Sequence, residues 1–327
     1  MHIALLFNLK PDDADAHGDL YAEFDTPKTL EALTGAMRSL GHTVDLVPFD
    51  AELVPRFKEI PGDLIFSIAE NLGGVSREAW VPALCNLYDR PFAFSGVLAN
   101  SVTLDKAMTK RIFDGAGIPT PPGQVIATRE DLLDPILAVS FPLFVKPLHE
   151  GSGKGITEQS LVQDADQLAR QIDVLLAAYD QPVLVEPYLK GREFTVGVVG
   201  NDPARVYVME LDFARLPEGH KFYSHHVKDV IPEAPIFTAP PDLTPERMQQ
   251  FTDIALQIKR EFGLEDCFRF DVRCDEQTNP YVLEINPLPG LTPGYSDLPR
   301  MIDLYGESYQ SLIGQILDAA AKRWGIG

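Results

Sequence analysis

The sequence predicts an α/β chain that passes into α+β toward its C-terminus, and three observations predict it. Apolar runs alternate with helical stretches over the first third. A glycine-rich segment follows an apolar strand in the middle. In the last third, strands follow one another with little helix between them, the pattern of an antiparallel sheet.

Element by element, Ile3 to Phe7 is apolar enough for a buried first strand. A helix should follow, with Thr26 as N-cap, Pro27 at its first position and Gly41 past its end. Strands are expected at Thr43 to Val47 and Asp63 to Ile68, and a helix at Arg77 to Leu87. Together they make a parallel sheet with covered faces. Ser101 is expected to cap a helix running through Lys106 and Lys110 to Gly115 and Gly117. A strand at Phe141 to Lys146, the glycine segment 150–155 and a helix at Asp164 to Tyr179 come next. The remaining strands are Val183 to Glu186, Glu193 to Val199, Val206 to Asp212, Cys267 to Cys274 and Tyr281 to Asn286, with a helix capped by Thr244 among them. Domain boundaries are expected near residues 98 and 181, giving units 1–97, 98–180 and 181–327.

Composition removes several classes of function. The chain has 327 residues and 45% hydrophobic content, ample for a core. A formal charge of −20 disfavours nucleic acid as a partner, but a few focused lysines and backbone N–H groups can still hold a phosphate. No run approaches the roughly 20 apolar residues of a membrane span. Cys85, Cys267 and Cys274 show no metal-ligand spacing, so a cytoplasmic protein without a leader is expected. The stripe Leu312, Ile316, Ala320 on the last helix fits either core or a homodimer contact.

The most informative stretch is Arg269-Phe270-Asp271-Val272-Arg273, a polar turn, then Tyr281-Val282-Leu283-Glu284-Ile285-Asn286. As a hairpin it puts Arg269 and Asp271 on one face of their strand, and Glu284 and Asn286 on one face of theirs, opposite Leu283 and Ile285. Three hard oxygen donors, Asp271, Glu284 and Asn286, suit Mg²⁺ completed by nucleotide phosphates. The plainer alternative is a solvated polar face on which Arg269 only pairs with a carboxylate. Lys146 ends an apolar strand beside Gly151, Gly153 and Gly155, which can turn N–H groups toward an anion. This loop has neither the Walker order nor the position of a Rossmann fingerprint. Lys106 offers a second cation, and Glu186 and Glu193 flank a connection through Tyr188 and Leu189 that could meet an adenine edge and ribose.

Together these phrases resemble the ATP-grasp superfamily and, within it, the D-alanine–D-alanine ligase family. The matching stretches are Thr103-Leu104-Asp105-Lys106, Phe144-Val145-Lys146-Pro147, Glu150-Gly151-Ser152, Gly191-Arg192-Glu193-Phe194, Arg269-Phe270-Asp271, Glu284-Ile285-Asn286-Pro287 and Pro289-Gly290. The resemblance implies an ATP-grasp fold of three subdomains, with ATP between the central and C-terminal ones. It also implies a ligase that activates a carboxylate as an acyl phosphate and joins it to an amine.

Carried onto this sequence, the resemblance implies that Lys106, Lys146 and Lys228 contact phosphates and that Glu150, Gly151, Ser152, Gly153 and Gly155 cover them. Glu186, Tyr188, Leu189 and Glu193 would lie at adenine and ribose. Asp271, Glu284 and Asn286 would hold two Mg²⁺ ions, with Mn²⁺ as a substitute. Arg269, the Gly290 backbone and Ser152 would be catalytic. His225 and His226 are expected to be bystanders in a loop over the site.

Departures fall on the substrate side. The family's His-Gly…Gly-Glu-Asp-Gly stretch reads here Glu70-Asn71-Leu72-Gly73-Gly74-Val75-Ser76-Arg77-Glu78, and Asp229 stands where a tyrosine is usual. The serine expected after Pro289-Gly290-Leu291-Thr292 is displaced to Ser296, and no glutamate clearly matches in the loop from Asn8 to Glu23. A ligase acting on another amino acid or a small scaffold therefore stands beside the D-alanine reading, with a non-catalytic nucleotide-binding module as the third.

Overall fold

In the computed structural model, which describes residues 1–133, 140–216, 222, 223, 227 and 234–326, the first strand sits at the centre of its sheet. Strand β1 (His2–Phe7) pairs in parallel with β2 (Thr43–Pro48) and β3 (Leu64–Ser67). Five successive buried residues in β1 require cover on both faces. Ile3, Leu5 and Phe7 pack toward Leu33 and Met37 of α1 (Pro27–Ser39). Ala4 and Leu6 pack toward Val81 and Cys85 of α2 (Trp80–Leu87). Helix α1 begins and ends as its sequence predicts: Thr26 precedes it in an extended conformation, Pro27 opens it, and Gly41 turns the chain at φ 86°.

The helix expected from Ser101 is two helices, α3 (Val97–Leu104) and α4 (Lys106–Ala116). Ser101 lies inside the first. The break comes at Asp105, whose carboxylate accepts from the N–H groups of Ala107 and Met108 and so caps α4. Lys106 is thereby fixed at the first position of α4, and Gly117 ends that helix in the left-handed region.

The middle sheet has the order β4-β7-β5-β6, from β4 (Gln124–Ile126), β5 (Leu143–Pro147), β6 (Leu161–Val162) and β7 (Val183–Pro187), with α5 (Ala165–Tyr179) laid over it. Strand β7 corrects an expectation. Residues 183–186 were grouped with the last third, yet they pair antiparallel with β5, Lys146 opposite Leu184 and Phe144 opposite Glu186. A cut at residue 181 would divide this sheet, so the connection at residues 188–192 is the better place for it.

The last sheet is antiparallel, as expected, in the order β10-β9-β8-β11-β12. Its strands are β8 (Glu193–Val199), β9 (Arg205–Asp212), β10 (Ile236–Thr238), β11 (Cys267–Cys274) and β12 (Pro280–Asn286). Phe194, Val196, Phe268, Phe270 and Val272 form one face and pack on Phe251, Ile254 and Ile258 of α6 (Pro245–Phe262). On the opposite face Val199 and Cys267 join the core of the first sheet, while Thr195, Arg269, Asp271, Glu284 and Asn286 are polar. Two helices complete the chain, α7 (Asp297–Leu304) and α8 (Tyr309–Trp324). Leu312, Ile316 and Ala320 are fully buried against the first sheet and α7, so this stripe is core and not a dimer contact. The three cysteines are buried thiols.

Candidate active site

Side-chain alternation on the hairpin brings the predicted oxygen donors together. Asp271 stands opposite Glu284, and Arg269 opposite Asn286. Asp271 accepts from the Thr195 hydroxyl at 2.7 Å, from the Asn286 amide nitrogen at 3.2 Å and from Arg269 at 3.0 Å. Because the Asn286 nitrogen faces Asp271, its amide oxygen remains as a donor. Arg269 also reaches Asp297 at 3.1 Å, so the guanidinium is braced from β11 and from the start of α7. The alternation fails at one residue: the register shifts between Asp271 and Val272, Val272 faces Val282, and Leu283 becomes the extra residue of a bulge. Leu283 was expected to point away from Glu284, but it lines the same cavity.

The two carboxylates of this face are shifted in opposite directions. Burial pushes the Asp271 carboxyl up, and Glu284 beside it adds to the rise against the pull of Arg269. Burial would raise Glu284 too, but Lys106 and Lys146 outweigh it and hold the group low. Two carboxylates and an amide oxygen, with open space beside them, form a half-shell of the kind Mg²⁺ uses when ligand oxygens supply the rest. Among the described residues no closed cage of three or more acidic, histidine or cysteine side chains occurs.

The lysines come from two other elements. Lys146, on β5, lies 2.8 Å from one oxygen of Glu186, and Lys110 lies 2.9 Å from the other. All three are buried. Burial works against the Lys146 ammonium, yet Glu186 and Glu284 keep it above its ordinary value, while Glu186 is held down at about 2 against its own burial by Lys110 and Lys146. Glu186 was expected at adenine or ribose. It lines the smaller cavity, and its two oxygens lie 2.9 Å from Lys110 and 2.8 Å from Lys146, so it also orients Lys146. Lys110 was not anticipated as part of the site, although it lies one helical turn beyond Lys106. Lys106 sits 3.6 Å from Glu284 and donates to the Glu150 carbonyl; burial lowers its pKa despite Glu284.

The glycine loop spends part of its N–H inventory inside the protein. Gly151 donates to Glu23 at 3.0 Å and Gly155 to Asp19 at 2.9 Å, so the segment before α1 is latched to the loop. Gly155 therefore braces the loop and lines neither cavity, contrary to its expected contact with ATP. Its need for glycine is steric, since a Cβ there would lie 2.5 Å from Pro147. Ser152 and Gly153, both with positive φ, line the smaller cavity. Glu23 is also gripped by Arg77 at 2.9 and 3.0 Å, and Glu150 by Lys154 at 2.5 Å and by Gln181 at 2.8 Å. Glu23 is thus the acidic side chain that the sequence did not reveal in this loop.

Two cavities meet at this face. The smaller, about 120 Å³, is lined by Phe144, Tyr188, Leu189, Phe222 and Leu283 on its apolar side and by Lys146, Glu193 and Asp271 on its polar side. The larger, about 360 Å³, is lined by Lys106, Glu150, Gly151, Asn286, Gly290 and residues of the first sheet's loops. Ser152, Arg269 and Glu284 border both. Tyr188 and Glu193, expected at adenine and ribose, line the smaller cavity, and each meets Arg273, the hydroxyl at 2.6 Å and the carboxylate at 2.5 Å. Ser296, displaced in sequence, returns in space: it borders the larger cavity, and a Cβ on Gly290 would lie 2.7 Å from its hydroxyl. Lys228, His225 and His226 lie outside the described residues.

Comparison with known proteins gives the family and the fold. Residues 112–318 match the D-ala D-ala ligase C-terminus family. D-alanine–D-alanine ligase B of Pseudomonas putida is 31% identical over 292 residues, covering 89% of this chain and 86% of that protein. The D-alanine–D-alanine ligase of Pseudomonas entomophila is 32% identical over 297 residues, covering 90% and 87%. An uncharacterized protein of Sinorhizobium fredii, y4sG, is 29% identical over 305 residues, covering 91% and 88%. The fold is shared with the D-alanine–D-alanine ligase of Bacillus anthracis complexed with ATP, at TM-score 0.75, 21% identity and 99% coverage of both chains. It is shared equally with the VanG D-Ala:D-Ser ligase of Enterococcus faecalis, at TM-score 0.74, 17% identity and 98% and 99% coverage.

Proposed function

The chain belongs to the D-alanine–D-alanine ligase family, ATP-dependent enzymes that form C–N bonds, and from that premise we propose that it activates a carboxylate as an acyl phosphate and passes the acyl group to an amine. One observation carries this reading: the two cavities share Ser152, Arg269 and Glu284, so a nucleotide tail in one and a carboxylate in the other would meet at those three residues.

The smaller cavity suits adenine, with Tyr188, Leu189 and Leu283 against the base and Lys146 toward the phosphates. Lys106 and the loop at Ser152 and Gly153 would complete the phosphate cradle. Asp271, Glu284 and the Asn286 oxygen would hold Mg²⁺, which supplies neutralising charge for the transferring phosphoryl group. Arg269, braced by Asp271 and Asp297, would face the carbonyl oxygen as it gains charge, with the Gly290 N–H as second donor. The latch of Glu23 and Asp19 on the glycine loop would keep out water, which would otherwise hydrolyse the acyl phosphate.

The test is isotope transfer. With ATP, Mg²⁺ and an ¹⁸O-carboxylate substrate, turnover should deliver one ¹⁸O into inorganic phosphate alongside ADP. Label appearing in AMP, or none in phosphate, rejects the acyl-phosphate route.

A further inference from the structure

The larger cavity contains negative charge that the ligase chemistry does not use. Glu78 is 9% exposed and lines this cavity, yet among the described residues its carboxylate takes part in no hydrogen bond or ion pair. Glu70 lines the same wall and is likewise without either. The cations that face the pair are shared with other groups: Arg77 holds Glu23, Glu150 and the His149 carbonyl, and Lys106 holds Glu284 and the Glu150 carbonyl, while Lys10, which acts on Asp25, and Lys28 line the same cavity. Removing one partner of a buried charge pair is costly, and a wall of two such carboxylates is organised for a cation that arrives with a ligand.

Resting on the ligase reading above, we propose that Glu70 and Glu78 form a cation-recognising subsite, and that one of the two compounds joined is basic, carrying a side-chain ammonium or guanidinium besides the group that reacts. Two carboxyl groups on one wall favour this over a neutral amino acid, because each can ionise against its own cation, and one α-ammonium leaves the second without a charged partner. Size agrees. At about 360 Å³ the cavity lies in the range of sites for drug-sized ligands and has room for a long side chain. Burial, with Glu23 adding to it against Arg77 and Lys106, pushes Glu78 up to about 7, and burial, Glu78 and Glu23 push Glu70 well up against Arg77.

The experiment compares lysine, ornithine and arginine with the uncharged norleucine and norvaline, each as both enantiomers and in both substrate roles. It reads ADP release and, separately, calorimetric binding. The basic members should exceed their uncharged counterparts by about 30-fold or more in kcat/KM and in affinity. Glu78→Gln and Glu70→Gln should each erase most of that preference, lowering the use of lysine at least about 10-fold more than that of norleucine, with thermal melting verifying that both variants fold and Glu78→Asp retaining part of the preference. Equal use of lysine and norleucine, or equal losses for both in Glu78→Gln, overturns the subsite. Lysine binding that depends on Glu78 without ADP from any pair upholds the subsite and sinks the ligase reading; ADP release without lysine preference does the reverse.

Discussion

The two cavities that meet at Arg269 follow opposite electrostatic plans. Around the smaller one the buried charges are matched: Lys146 and Lys110 on Glu186, Arg273 on Glu193, Arg269 on Asp271 and Asp297. Around the larger one Glu70 and Glu78 make no ion pair among the described residues. Matched pairs hold their geometry before any ligand comes, which suits a wall that positions phosphates for in-line transfer. Unmatched groups leave part of the electrostatic complement to the ligand, which suits a wall that selects among ligands.

The largest effect that could break this contrast is at Glu186. Replacing it with Gln strands two buried ammonium groups beside each other and should cost about 3–5 kcal/mol of stability, read from denaturant unfolding. Since Glu186 is held at about 2 against an ordinary 4.5, its contribution is present above 4.5 and lost as pH falls toward 2. The gap between wild type and Glu186→Gln should therefore close in acid. A gap that is absent at pH 7 would mean that the pairing does not organise this wall.

Arg269→Ala comes next. It should lower kcat about 100- to 1,000-fold with little change in the KM for ATP, because the guanidinium acts where charge develops and not on the bound nucleotide. Equal losses in kcat and ATP binding would reduce Arg269 to a brace for Asp271. Single-turnover and equilibrium-binding measurements separate the two.

How far the sequence disclosed the site follows the same divide. Period-two alternation was enough to put Asp271, Glu284, Asn286 and Arg269 on one face, and that face is real. The alternation misplaced Leu283, since a bulge is one extra residue with no signature of its own in Val282-Leu283-Glu284. Strand β7 was assigned to the wrong sheet because a strand's composition does not say which neighbour it pairs with. Glu23 and Arg77 stayed hidden for a deeper reason: they are 54 positions apart, carry no motif, and become partners only when the segment before α1 folds over the glycine loop. Contacts made within a hairpin are legible from spacing; contacts made by folding one loop onto another are not.

A smaller, opposite-signed effect belongs to Glu78. Its carboxyl is raised from 4.5 to about 7 by burial, with Glu23 and Glu150 adding to the rise and Arg77 and Lys106 opposing it; Glu70 faces it as well. The folded state then holds more protons than the unfolded state between those values, so stability on this group is full below 4.5 and lost as pH rises through 7. Glu78→Gln removes that loss. The variant should melt with wild type near pH 4.5 and a few degrees above it at pH 8, at about 2 °C per kcal/mol. A variant that melts lower at pH 8 would show that Glu78 is a matched charge after all.

The mildest test sharpens the boundary between the cavities. Tyr179 donates to Asp19 at 2.5 Å, and Asp19 accepts from Gly155 at 2.9 Å, so the tyrosine secures the latch on the glycine loop from behind without touching either cavity. Tyr179→Phe removes one hydrogen bond to a carboxylate, about 1.5–3 kcal/mol of local closure energy, and leaves the bond to Gly155 in place. Closure that is less favourable by this amount should appear as a several-fold higher KM for ATP and faster uncoupled ATP hydrolysis, with kcat for ligation nearly unchanged. Asp19→Asn should give the same pattern more strongly, since it weakens both bonds at once. If neither variant raises uncoupled hydrolysis, the latch does not seal the site.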